Sequence, residues 1–329
     1  MAADPNIDPY GYMGIAPNED GSITRLAEKP STPASSDPGS GNPFHLSKDI
    51  PINPSKHTWA RIFLPRQAFD SSPLQKLPLF IYFYGGGFVV CRVNSSVFDG
   101  LYTTIAAGTP AVVISVGYRR APEHRLPAAY DDSEEALHWV KSCKDEWLIK
   151  YADFSKCFLM GTSAGGNIVY HVGLRAAEYA DSFLPLQIKG LILHQPFFGG
   201  TKRSGSELRL ANDKVLPLCV SDLMWKWSLP VGVDRDHEYS NPVLSLKSGR
   251  FDGIKALGWK VLITGCDGDP LVDREMELAK KLEEHGVPVT GKFDEGGYHG
   301  CDSHDPSRAA VLTKNLKEFV ESAINSSKL

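Results

Sequence analysis

The 329-residue chain carries 35 Lys and Arg against 39 Asp and Glu, a net charge of −4, with 42% hydrophobic and 22% charged residues. Such proportions suit a globular protein with one sizeable core and leave no basic surface for nucleic acid or anionic lipid as a partner. Six cysteines (Cys91, Cys143, Cys157, Cys219, Cys266, Cys301) are scattered without a C-x-x-C pair, so neither a zinc site nor a dense disulfide framework is predicted.

The first residues include Asp4, Asp8 and several prolines instead of a basic start and an apolar core, which predicts no secretory leader. No apolar run reaches the roughly 20 residues that cross a bilayer. The expectation is a soluble, cytoplasmic protein without membrane insertion. Residues 1–55 are rich in Pro, Gly, Ser and Asp, and Pro30 to Pro43 is almost wholly turn formers, so this stretch reads as an arm outside the core. Its apolar residues, among them Tyr10, Tyr12, Met13, Ile15 and Leu26, suit a lid laid over the fold; simple disorder is the alternative.

From residue 56 to 329 strand-like segments recur: Thr58–Leu64, Leu77–Tyr84, Ala111–Val116, Cys157–Met160, Ile188–Gln195, Lys260–Thr264 and Val289–Phe293. Helix-length amphipathic stretches lie at Val97–Ala107, Ala128–Ser142, Asn167–Tyr179 and Asp273–His285, and Asp305–Ser322 closes the chain. Alternation of this kind specifies an α/β fold, a mainly parallel sheet flanked by helices. The insertion 199–243 carries Leu216, Leu223, Met224, Trp225 and Trp227 and reads as a small cap.

Phe158-Leu159-Met160 runs into Gly161-Thr162-Ser163-Ala164-Gly165 and then directly into an amphipathic helix. Strand, G-x-S-x-G and helix make a nucleophile elbow, in which small neighbours let a Ser adopt a strained backbone and expose its hydroxyl. The N–H of Ala164 then lies beside the point where an oxyanion forms. A serine needs a base, and the base an orienting acid. In this architecture the chain order is Ser, acid, His. The loop after Thr264 offers both Asp267 and Asp269, and the loop after Phe293 offers His299 between glycines, with His304 a weaker rival. Gly85-Gly86-Gly87 at the end of a buried strand supplies the room that backbone donors need around an anion. Neither metal nor cofactor is called for.

Together with Tyr118-Arg119, the run Ala121-Pro122-Glu123-His124-Arg125-Leu126-Pro127, Asp269-Pro270-Leu271 and Gly297-Tyr298-His299, these motifs resemble the plant carboxylesterases. They belong to the hormone-sensitive-lipase-like branch of the α/β-hydrolases, which also holds the gibberellin receptor. The likeness runs from about Ile50 onward. It implies an α/β-hydrolase fold, a triad of Ser163, Asp269 and His299, and an oxyanion hole formed by Gly85, Gly86, Gly87 and Ala164. It also resolves the choice between the two acids. Four positions depart from the family pattern: Tyr84 replaces the usual His, Thr162 the acid before the nucleophile, Gly117 an Asp and Arg120 a Leu.

The function expected is carboxylic ester hydrolysis through an acyl-enzyme on a small apolar or aromatic ester. Because one scaffold hosts many activities, a repurposed lyase or cyclase of plant specialised metabolism is the alternative, and a small-molecule receptor a further one. Tyr84 bears on that choice: it reads as a structural substitute for the His, and the alternative is that its protonated phenol is a substrate-contacting donor or general acid.

Overall fold

The computed structural model describes residues 4, 6–39, 42–71, 75–246 and 249–326. Parts of the arm, residues 1–3, 5, 40 and 41, lie outside these described residues. A two-stranded hairpin, β1 (Ile15–Pro17) and β2 (Ile23–Arg25), precedes an eight-stranded sheet. The sheet contains β3 (His45–Asn53), β4 (Thr58–Pro65), β5 (Leu77–Phe83), β6 (Val112–Gly117), β7 (Ala152–Thr162), β8 (Ile188–His194), β9 (Lys260–Cys266) and β10 (Val289–Asp294). Their order across the sheet is β10-β9-β8-β7-β5-β6-β4-β3.

β5 through β10 pair in parallel, whereas β4 runs antiparallel to both β3 and β6. Phe80 to Phe83 of β5 and Cys157 to Met160 of β7 are inaccessible to solvent, as befits central strands covered on both faces. Helices Asp99–Gly108, Ala128–Ser142, Ala164–Glu178, Val272–Glu284 and Pro306–Ser326 supply that cover. No helix among the described residues is long and apolar enough to cross a membrane.

The expected arm needs a correction, because His45–Asn53 is a sheet strand paired residue by residue with β4. Its Ser, Lys, Asp and Pro residues hid it. An edge strand has one neighbour and one solvated side, so it tolerates polar side chains and proline that a central strand does not. The short helix Glu146–Tyr151 was also hidden; Asp145 caps it by accepting from the N–H of Trp147 and Leu148.

Earlier in the chain, Asp8 caps a helix at Pro9–Met13 that packs on the helix Leu218–Ser228 of the insertion. Met13 and Ile15 are buried. The Tyr12 hydroxyl reaches the carbonyls of Lys214 and Val215 at 2.9 and 2.7 Å. Two guanidinium clamps follow. Arg25 forks onto Glu123 at 2.9 and 2.7 Å, and Glu28 accepts from both Arg92 and Arg120 at 2.7 and 2.9 Å. Arg25 and Arg120 also donate to the carbonyls of Val89 and Cys91, so the arm is tied to the loop that follows the glycine run.

Candidate active site

β5, β7, β9 and β10 all end at the same edge of the sheet, and the loops leaving them carry the sequence-predicted residues. Pairing of Phe83 with Gly161 sets the glycine run beside the elbow, and pairing of Asp294 with Cys266 sets the His299 loop beside the Asp269 loop. That is the edge where open α/β sheets bind ligands.

Ser163 has φ 57 and ψ −120, a conformation that crowds an L side chain and is stored in a surrounding fold that determines it. Its N–H donates to His194 O at 2.9 Å, and its carbonyl accepts from Phe197 and Asn167. Gly165 has to be glycine: a Cβ there would stand 1.8 Å from the carbonyl oxygen of Phe83. The elbow therefore depends on close contact with β5, the strand that delivers the glycines.

Gly86 has φ 115, and a Cβ there would meet Val90 O at 2.3 Å. This turn presents successive N–H groups on one side. Among the described residues the N–H groups of Gly86, Gly87 and Ala164 have no acceptor within the protein. Gly85, Gly86, Gly87, Ser163 and His299 all line one cavity of ≈ 240 Å³.

His299 Nδ1 lies 2.7 Å from Asp269 Oδ2. Asp269 is fully buried, and its other oxygen accepts from Leu271 N at 2.9 Å. Burial by itself disfavours the imidazolium, but the adjacent Asp269 carboxylate outweighs it and raises the His299 pKa above its ordinary 6.5. Asp267 plays a separate part, since its Oδ1 accepts from Gly296 N at 2.6 Å and braces the same loop. His304 lines the cavity from an exposed position at the rim.

Tyr84 is not among the residues lining the cavity, which fits the structural reading of this replacement and corrects the alternative that it contacts substrate. Its ring is buried and stacks on Tyr118 at 4.4 Å, and burial pushes its phenol pKa up. The Tyr118 hydroxyl donates to Tyr84 O at 2.9 Å, so the pair of rings pins the start of the glycine loop. Thr162 does line the cavity, and its Oγ1 accepts from Tyr82 at 3.0 Å.

Sequence reasoning missed Gln195. Its Nε2 donates to Tyr298 O at 3.2 Å and its Oε1 accepts from Gly300 N at 2.7 Å, gripping the backbone on both sides of His299. The residue is buried with φ 44. Also missed was a buried pair that reaches the cavity through Asp302, in which His194 Nε2 lies 2.8 Å from Asp302 Oδ2 and Nδ1 lies 2.7 Å from Thr264 Oγ1.

The profile of the alpha/beta hydrolase fold family matches residues 80–303, a span that includes every loop just described. Carboxylesterase 20 of Arabidopsis thaliana is 49% identical, with 97% of this chain and 98% of that protein covered. A 3-O-acetylpapaveroxine carboxylesterase of Papaver somniferum is 42% identical over 95% of this chain and 99% of its own. Among solved structures, an esterase of Pyrobaculum calidifontis superposes with a TM-score of 0.69 at 24% identity, covering 85% of this chain and 86% of that one, a likeness of fold. The chain belongs to the α/β-hydrolase fold family and, within it, to the plant carboxylesterases, which are serine ester hydrolases.

Proposed function

We propose that the chain hydrolyses small apolar or aromatic carboxylic esters with Ser163 as nucleophile, His299 as base and Asp269 as the acid that orients it. The observation that carries this is the 2.7 Å contact between His299 and Asp269 at the cavity that holds the strained Ser163. Asp269 accepts the Nδ1 proton and leaves the Nε2 lone pair of His299 to take the hydroxyl proton of Ser163.

Ser163 Oγ then bonds to the acyl carbon, and the carbonyl oxygen becomes an oxyanion held by the N–H groups of the Gly85–Gly87 run and Ala164. Collapse breaks the ester C–O bond, His299 returns the proton to the departing alcohol, and an acyl-enzyme remains. A water gives its proton to His299 and attacks the same carbon, releasing the acid and restoring Ser163.

The arm and the insertion 199–243 act as the roof. Tyr12, Met13, Val215, Leu216 and Met224 line the cavity together with Phe98 and Leu101, and these apolar groups suit an aromatic or aliphatic ester. The acetyl ester named in the Papaver somniferum relative fits the same reading. A lyase or cyclase that used the Tyr84 phenol finds no support, because the Tyr84 ring is packed against Tyr118 and does not line the cavity. All six cysteines are free thiols, which suits action in a reducing compartment such as the cytoplasm.

The test is an organophosphonate and an activated aryl acetate. One covalent label should fall on the peptide containing Ser163, and Ser163→Ala should lose both labelling and ester cleavage, with acid and alcohol appearing in equal amounts from the parent. Full cleavage by Ser163→Ala would end the proposal.

A further inference from the structure

Lys29 is out of place in the cavity. The walls are almost wholly apolar, the one carboxylate among the described lining residues is Asp302, and that carboxylate is held by His194 at 2.8 Å. Lys29 is the one lysine or arginine among the described lining residues. Its neighbour Glu28 does not neutralise it. Both oxygens of Glu28 are taken up by Arg92 and Arg120, and among the described residues no carboxylate stands within ion-pair distance of Lys29.

The same clamp gives Lys29 its place. Glu28 ties the backbone to two arginines, and Arg120 is itself anchored on Cys91 O at 3.1 Å, in the loop that follows the glycine run. Cys91 and Val90 of that loop line the cavity beside the glycines. Lys29, an exposed lining residue, is therefore held at the rim by the attachment of its neighbour. Because Lys29 is exposed, its pull on a charged ligand is that of a partly solvated ion pair. A purely apolar ester has no use for such a group, and an ester carrying a protonated amine would be repelled by it.

Resting on the hydrolase reading above, we infer that Lys29 is a specificity-determining residue that selects esters bearing an anionic group, a carboxylate in the first instance, remote from the bond cleaved. The apolar walls hold the body of the substrate, and the carboxylate lies at the rim against the ammonium. Lys29 takes no part in bond breaking, so its effect falls on KM and leaves kcat alone.

The experiment compares matched acetates whose leaving groups differ in charge: 4-acetoxybenzoate, 4-acetoxyphenylacetate and 3-(4-acetoxyphenyl)propanoate, each against its methyl ester. The parent should show a lower KM for the acid than for the methyl ester in at least one spacer length. Lys29→Ala should raise the KM of that acid about two- to fivefold, the size expected of a partly exposed ion pair, while the methyl ester and both kcat values stay put. Lys29→Glu should reverse the preference and Lys29→Arg should restore it. Raising salt to about 1 M, where the screening length falls to about 3 Å, should erase the advantage of the acid. An acid-to-ester KM ratio equal in the parent and in Lys29→Ala at every spacer length would overturn the inference. Failure of the parent to cleave any of the six acetates would instead sink the hydrolase reading, and the inference with it.

Discussion

On the floor of the cavity, Ser163 is held by its own backbone at φ 57, and Gly86 at φ 115 is locked by the carbonyl of Val90, which leaves no space for a side chain. Over the roof, Tyr12, Met13 and Lys29 reach the same cavity from a segment held by side-chain contacts, two guanidinium–carboxylate clamps and a tyrosine hydroxyl. The floor is rigid because each piece is fixed by main-chain packing against β5 or β7. The roof is fixed by groups that one substitution can remove. Chemistry that needs donors placed within tenths of an ångström is thus built on the backbone, and the choice of substrate is left to exchangeable side chains.

If that division is right, the largest losses come from the floor and its proton relay. Asp269→Asn should lower kcat by about four orders of magnitude, the effect of a wrongly held imidazole tautomer. Asp267→Asn removes only a brace on Gly296 and should cost far less. The pH profile sharpens the test. Because the Asp269 carboxylate lifts the His299 pKa above 6.5 against burial, the acid limb of kcat/KM in the parent should be centred above pH 6.5. In Asp269→Asn the largest force opposing burial is gone and only Asp213 and Asp302 still favour the imidazolium, so the residual activity should keep its acid limb to lower pH. An unmoved limb would mean that His299 is not the titrating base.

Second in size is the donor loop. Gly86→Ala forces a Cβ to within 2.3 Å of Val90 O, so the loop has to move. With a donor displaced, kcat should fall about 10² to 10³-fold while KM changes little. Circular dichroism and a melting curve would show whether the fold survives. A variant that stays folded and fully active would place the oxyanion donors elsewhere.

The contrast between floor and roof also explains what the sequence made visible. A buried strand, G-x-S-x-G and an amphipathic helix are local signals, and the elbow could be read from about fourteen consecutive residues. His299 was legible from its loop, while Asp267 and Asp269 are equivalent by position and differ only in which carboxylate reaches the imidazole. Gln195 carries no local signal at all: a glutamine after a strand becomes a clamp only when a loop far along the chain folds against it. Tyr84 misled for the converse reason. It adjoins the glycine run in sequence, but it lies just past the end of β5, where it is buried with its ring stacked on Tyr118. Edge strand β3 was lost among Pro and Asp because its hydrogen bonds, not its apolar content, make it a strand.

The smallest effect should come from loosening the roof at Glu28. Its carboxylate is partly desolvated, which opposes charge, but Arg120 and then Arg92 hold its pKa down to about 2. A depressed carboxylate stabilises the docked arm above its ordinary value of 4.5, and that contribution is lost as pH falls from 4.5 toward 2. Neutral buffers will therefore not release the clamp, and substitution is the way to do so. Glu28→Gln keeps the size of the side chain but gives up two charge-assisted contacts, each worth about 0.2–1 kcal/mol at so exposed a position. Arg25 with Glu123 and Tyr12 with the insertion remain, so the arm should fray without leaving. For a neutral aryl acetate KM should rise about two- to fivefold with kcat unchanged within about a factor of two, since the floor is untouched. High salt on the parent should mimic the variant in the same direction. Should kcat fall while KM holds steady, the roof would be part of the catalytic machinery, and the separation of rigid chemistry from adjustable recognition would fail.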